Sequence, residues 1–180
     1  MHSKEPVVIS RLWGGLGGQL FQYAAGFALA EWLGACSVLD PDQCHADVNR
    51  PYDLCHFAIN ARAWTPVERR SYGRLIRLTR PFDATTRFAA VPLKAFSMAL
   101  LRDRFTYFAD LHKGYGQRFE NLAGTVYLAG TWASEQYFAH IAEKIRRQNA
   151  IREPADGLNA ELFARIADCQ AAAVYPALFL

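Results

Sequence analysis

The chain predicts an α/β fold built on a Rossmann-like, mostly parallel sheet, and three observations carry that expectation. Short apolar runs alternate with longer segments of helical apolar periodicity along the chain. The first such run, Val7-Val8-Ile9-Ser10-Arg11-Leu12, flows into Gly14-Gly15-Leu16-Gly17-Gly18 and then a periodic stretch, the pattern of strand, tight turn and helix. Finally, 52% of the 180 residues are hydrophobic and 21% charged, a globular composition that excludes a disordered chain. This length holds one ordinary core, or one lobe of a larger two-lobed fold.

Residues 7–33 read as strand, loop and helix, and Cys36-Ser37-Val38-Leu39 as a second strand ending at Asp40. Thr65-Pro66-Val67-Glu68 has the form of a capping box with proline at the first helical position. It predicts a helix whose apolar face holds Tyr72, Leu75, Ile76 and Leu78, closed by Pro81. A connector over 82–92 and a short helix over 95–101 follow. Phe105-Thr106-Tyr107-Phe108 and Thr125-Val126-Tyr127-Leu128 read as strands, separated by a loop at Lys113-Gly114-Tyr115-Gly116. Ser134 is an expected N-cap for a helix through Arg147, with Tyr137, Phe138, Ile141, Ala142 and Ile145 facing inward. A helix over 158–169 and a strand over 171–174 complete the alternation.

The glycine turn is the most informative segment. Such a turn aims unpaired backbone N–H groups and the positive end of a helix at one point, where an anion can sit. A phosphate-cradling P-loop needs Lys-Ser or Lys-Thr after its last glycine; Gln19-Leu20 follows Gly18, so that reading fails. A dinucleotide fingerprint finds Gly15 and Gly17 in place, with Asp40 near the position of a ribose-binding acid, but Leu20 occupies the third glycine slot. A turn that only packs helix against sheet is the plain structural alternative.

The run Gly14-Gly15-Leu16-Gly17-Gly18-Gln19-Leu20-Phe21-Gln22-Tyr23-Ala24, followed by Ala28-Leu29-Ala30, resembles the amino-terminal motif of the α-1,2-fucosyltransferases of glycosyltransferase family 11. Tyr52 to Ile59, Tyr127 to Phe138 and Ile145-Arg146 fall in the order that family shows, so the resemblance spans residues 7–170. It implies the acceptor-side, amino-terminal lobe of a two-lobed GT-B glycosyltransferase over residues 7–174. The implied reaction moves fucose from GDP-fucose, as donor substrate, to a galactoside hydroxyl, with no metal and no other cofactor. Gly14, Gly15, Gly17, Gly18 and Gln19 become the expected substrate loop. Trp132 and Glu135, just after a strand and at a helix start, sit where open α/β sheets place ligand groups, and are an expected acceptor site. A Trp there can stack on a sugar and a Glu can accept its hydroxyls; a packed Trp beside a helix-capping Glu is the alternative. The catalytic base is not identified by this reading.

Two departures qualify the resemblance. Gly18 stands where the family carries Asn. The family continues with His-x-Arg-Arg-Gly-Asp and a donor-binding half, whereas this sequence reads Tyr175-Pro176-Ala177-Leu178-Phe179-Leu180. Residues 175–180 are therefore expected to be an aberrant or truncated tail, with the donor lobe absent. Loss of a bidentate guanidinium clamp on pyrophosphate removes roughly 3–6 kcal/mol at ~1.5–3 kcal/mol per charged hydrogen bond. Impaired transfer, or a non-catalytic glycan- or partner-binding lobe, is the expectation for these residues alone.

A net charge of +3 with scattered aromatics does not point to nucleic acid. Cys36, Cys44, Cys55 and Cys169 lack metal-ligand spacing, and adjacent Cys-His pairs are poor zinc donors, so free thiols in the cytoplasm are expected. Glu5-Pro6 and the glycines break the resemblance of the start to a signal peptide, and no run is long and apolar enough to span a membrane. Arg69, Arg70, Arg74, Arg77 and Arg80 load the helix begun at Thr65 with charge, either as a solvated face or, through the first four, as a peripheral contact with anionic lipid.

Overall fold

The computed structural model describes residues 5–79, 105–110, 115–152, 157, 160 and 161. Five parallel strands form one sheet: β1 (Val7–Arg11), β2 (Cys36–Asp40), β3 (Arg62–Ala63), β4 (Phe105–Asp110) and β5 (Thr125–Gly130). Their spatial order is β3-β2-β1-β5-β4. The register sets Val7 beside Cys36, Val8 beside Val126 and Phe105 beside Thr125. Strand order reverses between β1 and β5, so the carboxyl ends of these two central strands flank the switch point where open α/β sheets take their ligands.

Each face of the sheet has its own core, because alternate residues of a strand point to opposite sides. Val8 and Ser10 of β1 and Val126 and Leu128 of β5 meet α1 (Leu16–Leu33), whose residues Gln19, Leu20 and Gln22 to Ala30 are buried. Val7, Ile9, Val38, Phe105, Tyr127 and Ala129 point the other way, against Tyr72, Leu75 and Ile76 of α3 (Pro66–Thr79). Gly26 lets α1 lie close on β1: a Cβ there would stand 1.7 Å from the Ser10 Oγ. Helix α1 ends at Gly34, where the Ala35 amide donates to the Ala30 carbonyl at 2.8 Å.

The capping box forms as its sequence requires. The Glu68 amide donates to Thr65 Oγ1 at 3.2 Å and the Thr65 amide to Glu68 Oε2 at 2.8 Å, starting α3. Arg62 adds a two-pronged ion pair to Glu68, with both contacts at 2.7 Å. Leu78, expected on the inner face, is 45% exposed, and Thr79 is buried in its place. Helix α2 (Asp42–Ala46) and the two-residue β3 carry no periodicity long enough to read from the sequence.

The expected helix from Ser134 through Arg147 is instead two 3-10 turns, Glu135–Tyr137 and Ala139–Ile141, followed by α4 (Ala142–Gln148). Ser134 does cap, accepting from the Gln136 amide at 3.3 Å. Adjacent Tyr137 and Phe138 break the helix by packing in different directions: Tyr137 stands edge-on to Phe119 at 4.8 Å and Phe138 meets Phe21 at 5.8 Å. Consecutive helical residues do not share a face, and Phe138 takes φ −135°, ψ 14° to direct its ring. The expectations for 82–92, 95–101, the strand at 171–174 and the tail at 175–180, and nearly all of the helix at 158–169, lie outside the described residues.

Candidate functional site

At the carboxyl end of β1 the chain turns through Gly14, whose φ of +80° is a backbone conformation that side-chain-bearing residues rarely adopt. Gly15 is the N-cap of α1 with no side-chain cap, and no acidic residue lies in the first turn. By position, the first-turn amides lack intrahelical acceptors, and the helix directs its positive end outward. Among the described residues a Cβ placed at Gly14, Gly15 or Gly17 would meet nothing within 4 Å, so within them these glycines border open space. A Cβ at Gly18 would meet the Trp13 carbonyl at 3.6 Å, an ordinary contact.

Two buried glutamines hold this turn, each bonded to backbone through both its amide oxygen and its amide nitrogen. Gln19 donates to the Gly14 carbonyl at 3.0 Å and the Pro51 carbonyl at 2.8 Å, and accepts from the Asp53 amide at 3.2 Å. Gln22 accepts from the Trp13 amide at 2.9 Å and donates back to the Trp13 carbonyl at 3.1 Å. Gln19 is 0% exposed, so its side chain shapes the turn rather than reaching a ligand. Next to it, Tyr23 donates to Gln148 Oε1 at 2.5 Å and accepts from the Asn60 amide at 3.1 Å, tying α1 to α4 and to the segment after Pro51. Burial pushes the Tyr23 hydroxyl well above its ordinary value, so it remains a donor.

Trp132 follows β5 on the other side of the switch point but is 2% exposed. Its ring is walled by Phe108 at 5.8 Å, Phe119 at 5.6 Å and Tyr137 at 5.3 Å, leaving no open face for the sugar stacking expected of it. Its φ of +52° is an uncommon conformation for a bulky residue, and its indole N–H is buried with no acceptor among the described residues. Glu135 is exposed at the start of a 3-10 turn. The structure therefore brings the four glycines together and places Trp132 in the core.

Asp40 lies on the α3 side of the sheet, 6% exposed. Its Oδ2 accepts from the Tyr127 hydroxyl at 2.6 Å and its Oδ1 from the Asp42 amide at 3.1 Å. Burial raises the Asp40 carboxyl above its ordinary range, an effect reduced by those two donors. Burial and then the adjacent carboxylate raise the Tyr127 phenol strongly as well. Asp40 thus lies on the face of the sheet opposite α1 and its glycine turn, which removes the ribose-binding acid from the dinucleotide reading, and each of its oxygens, holding one donor, keeps a further lone pair. The Asp40–Tyr127 pair was not legible in the sequence; its signal lay in strand alternation, and only the strand order sets the two side chains together.

Cys44 is buried and His45 exposed, so the adjacent pair does not converge, and among the described residues no three His, Cys, Asp or Glu side chains gather as a metal site. Among the described residues no helix is long and apolar enough to cross a membrane.

No family model matches the chain, and no curated protein sequence matches it. Two solved structures are similar: the α-1,6-fucosyltransferase NodZ co-crystallised with GDP, and the selenomethionine fucosyltransferase NodZ from Bradyrhizobium. Each is 18% identical with a TM-score of 0.39 over 92% of this chain. The chain spans about half the length of these structures, 55% and 54%. A superposition of that closeness assigns neither activity nor ligand, and what this chain itself displays is a five-stranded parallel α/β sheet with a glycine turn at its switch point.

Proposed function

We propose that residues 7–174 are the acceptor-side lobe of a galactoside α-1,2-fucosyltransferase, which moves fucose from GDP-fucose to a galactoside hydroxyl. The observation that supports this reading is the four-glycine turn: an uncapped amino terminus of an 18-residue helix, at the switch point, bordered by open space and held from behind by Gln19 and Gln22. Such a turn offers backbone N–H groups without side-chain bulk, where a departing phosphate or a sugar oxygen gains stabilisation as negative charge develops. The motif through Gln22-Tyr23-Ala24 supplies the class of substrate by its resemblance to family 11. The 180 residues contain no His-x-Arg-Arg-Gly-Asp segment to clamp pyrophosphate. Acceptor binding without measurable transfer is therefore expected of these residues alone, which is also the property of a purely glycan-binding lobe.

Amide resonances of Gly14 to Gly18, followed by NMR while lactose, GDP-fucose or NAD is added, test the reading. Shifts with lactose support it. Silence with lactose, or a stronger response to NAD, overturns it. Transfer of radiolabelled fucose from GDP-fucose to lactose by the 180 residues would show that the donor clamp is dispensable.

The outer face of α3 favours a peripheral contact with anionic lipid at the cytoplasmic surface. Val67, Arg70, Arg74, Arg77 and Leu78 fall on one helical stripe, and Val67 is 71% exposed. Arg69 is engaged instead, 2.7 Å from Asp42, so the contact rests on three arginines at about 1 kcal/mol each near the surface. Sedimentation with phosphatidylserine vesicles at low salt, lost on reversing Arg70 and Arg74 to Glu, checks it; no sedimentation of the unaltered chain removes it.

A further inference from the structure

On the α3 side of β1, a cleft of about 340 Å³ opens between α3, α2 and the carboxyl halves of the strands. Arg11, Asp40, Gln43, Ile76, Tyr107 and Tyr127 line it. That volume is of the order of small-ligand sites, which begin at roughly 300 Å³. We propose that this cleft holds one sugar ring of the glycan acceptor, as a subsite separate from the glycine turn.

The chemistry of the lining selects the ligand. A vicinal diol needs a donor beside an acceptor, because each hydroxyl both gives and takes hydrogen bonds. Arg11 supplies the donors: one of its nitrogens is held by Gln43 Oε1 at 2.8 Å, and among the described residues the rest of the guanidinium fork remains for a ligand. Asp40 supplies an acceptor carboxylate, fixed by Tyr127 at 2.6 Å and nine-tenths buried, as a preorganised polar group in a binding site should be. The half-buried Tyr107 ring, backed by buried Tyr127 stacked on it at 5.5 Å, forms with Ile76 an apolar wall suited to the C–H face of a pyranose. A phosphate or other anion is disfavoured by the two carboxylates, Asp40 and Asp42, against the single Arg11 of the lining. A wholly apolar ligand would leave Arg11 and Asp40 desolvated. Arg69 and Trp64 Nε1 occupy Asp42 at 2.7 and 3.3 Å, so Asp42 forms a rim and not a ligand group.

The subsite rests on the galactoside reading and extends it: the glycine turn and the cleft lie on opposite sides of the end of β1, three residues apart from Arg11 to Gly14. That is at most about 10 Å of chain, within reach of neighbouring rings of one oligosaccharide. Titration of the 180-residue chain by NMR with methyl β-galactoside and with lactose tests it, using the unaltered protein, Arg11→Gln and Gln43→Ala. Lactose should bind the unaltered chain more tightly than the one-ring galactoside. Arg11→Gln should weaken lactose by about tenfold to a hundredfold, the loss of one charged hydrogen bond. Gln43→Ala, at an exposed side chain that folding does not need, should weaken lactose several-fold, and both variants should bind methyl β-galactoside as before. Equal lactose binding by the unaltered chain and Gln43→Ala and, where circular dichroism shows it folded, Arg11→Gln overturns the subsite while the galactoside reading stands. Failure of both sugars to bind the unaltered chain overturns the two together.

Discussion

The two sides of β1 end in opposite ways. On the α1 side, Gln19 and Gln22 bond backbone alone, at Trp13, Gly14, Pro51 and Asp53, and turn inward, leaving main chain at the head of α1. On the α3 side, the backbone is ordinary strand and the side chains of Arg11, Asp40 and Tyr127 face a cleft. One side presents main-chain amides and a helix dipole, the other side-chain functional groups. The difference teaches where mutations should act: on the first side they break the fold of the turn, and on the second they alter polar contacts with little change in backbone.

The largest expected effect lies at Gln19. Gln19→Leu removes the partners of the Gly14 and Pro51 carbonyls and the Asp53 amide, three part-buried bonds at about 1 kcal/mol each, so a loss of about 3 kcal/mol in urea unfolding is expected. A loss under 1 kcal/mol would show that water replaces the glutamine and would break the comparison.

Gly26→Ala comes next, at about 1–3 kcal/mol for overpacking against Ser10. Since the Ser10 hydroxyl is buried without a partner among the described residues, Ser10→Ala should be neutral or stabilising and should recover part of the Gly26→Ala loss. Additivity of the two substitutions in thermal unfolding would mean that the helix moves away instead.

Tyr127→Phe should cost about 1–2 kcal/mol at neutral pH by leaving Asp40 short of a donor. Its pH signature has a defined sign. The folded Asp40 pKa is raised, so the folded state holds its proton longer than the unfolded chain, and stability falls as pH rises from below 3.8 through the folded value. Removing Tyr127 raises that pKa further and widens the window. Glu68 runs the other way: Arg62 holds it down at about 2, so its contribution is present above 4.5 and is lost as pH falls toward 2. Arg62→Gln, at a half-exposed pair, should cost only about 0.5–1 kcal/mol and flatten that acid limb. Urea midpoints across pH 2–7 for the two variants separate the two carboxylates.

The smallest effect sharpens the α1 side. Gly18→Asn introduces a side chain whose Cβ meets only ordinary contacts at 3.6 Å and beyond among the described residues. Stability should change by less than about 0.5 kcal/mol, the scale of helix propensity differences. A large loss would mean that Gly18 is required by the backbone and not by the ligand.

Much of the architecture was legible because it is local. The apolar run at β1, the turn glycines and the Thr65–Glu68 capping box each specify their own backbone within a few residues. The site was legible only as a turn. Trp132 read as a stacking platform because it follows a strand at the switch point; its burial is decided by Phe108, Phe119 and Tyr137, which come from three other parts of the chain. Arg69 read as one of four surface cations until α2, too short to show a period, brought Asp42 to it.

By itself the sequence determined the parallel α/β class, the strand–turn–helix start and the position of the glycine turn, because periodicity, φ preference and capping act over one or two turns of chain. Only the tertiary structure decided that β5 lies beside β1, that Tyr127 therefore meets Asp40 87 residues away, and that Gln19 faces Pro51 rather than a ligand. Those outcomes depend on strand order and on which polar group finds a partner in a closed core, and neither is encoded in any short window of residues.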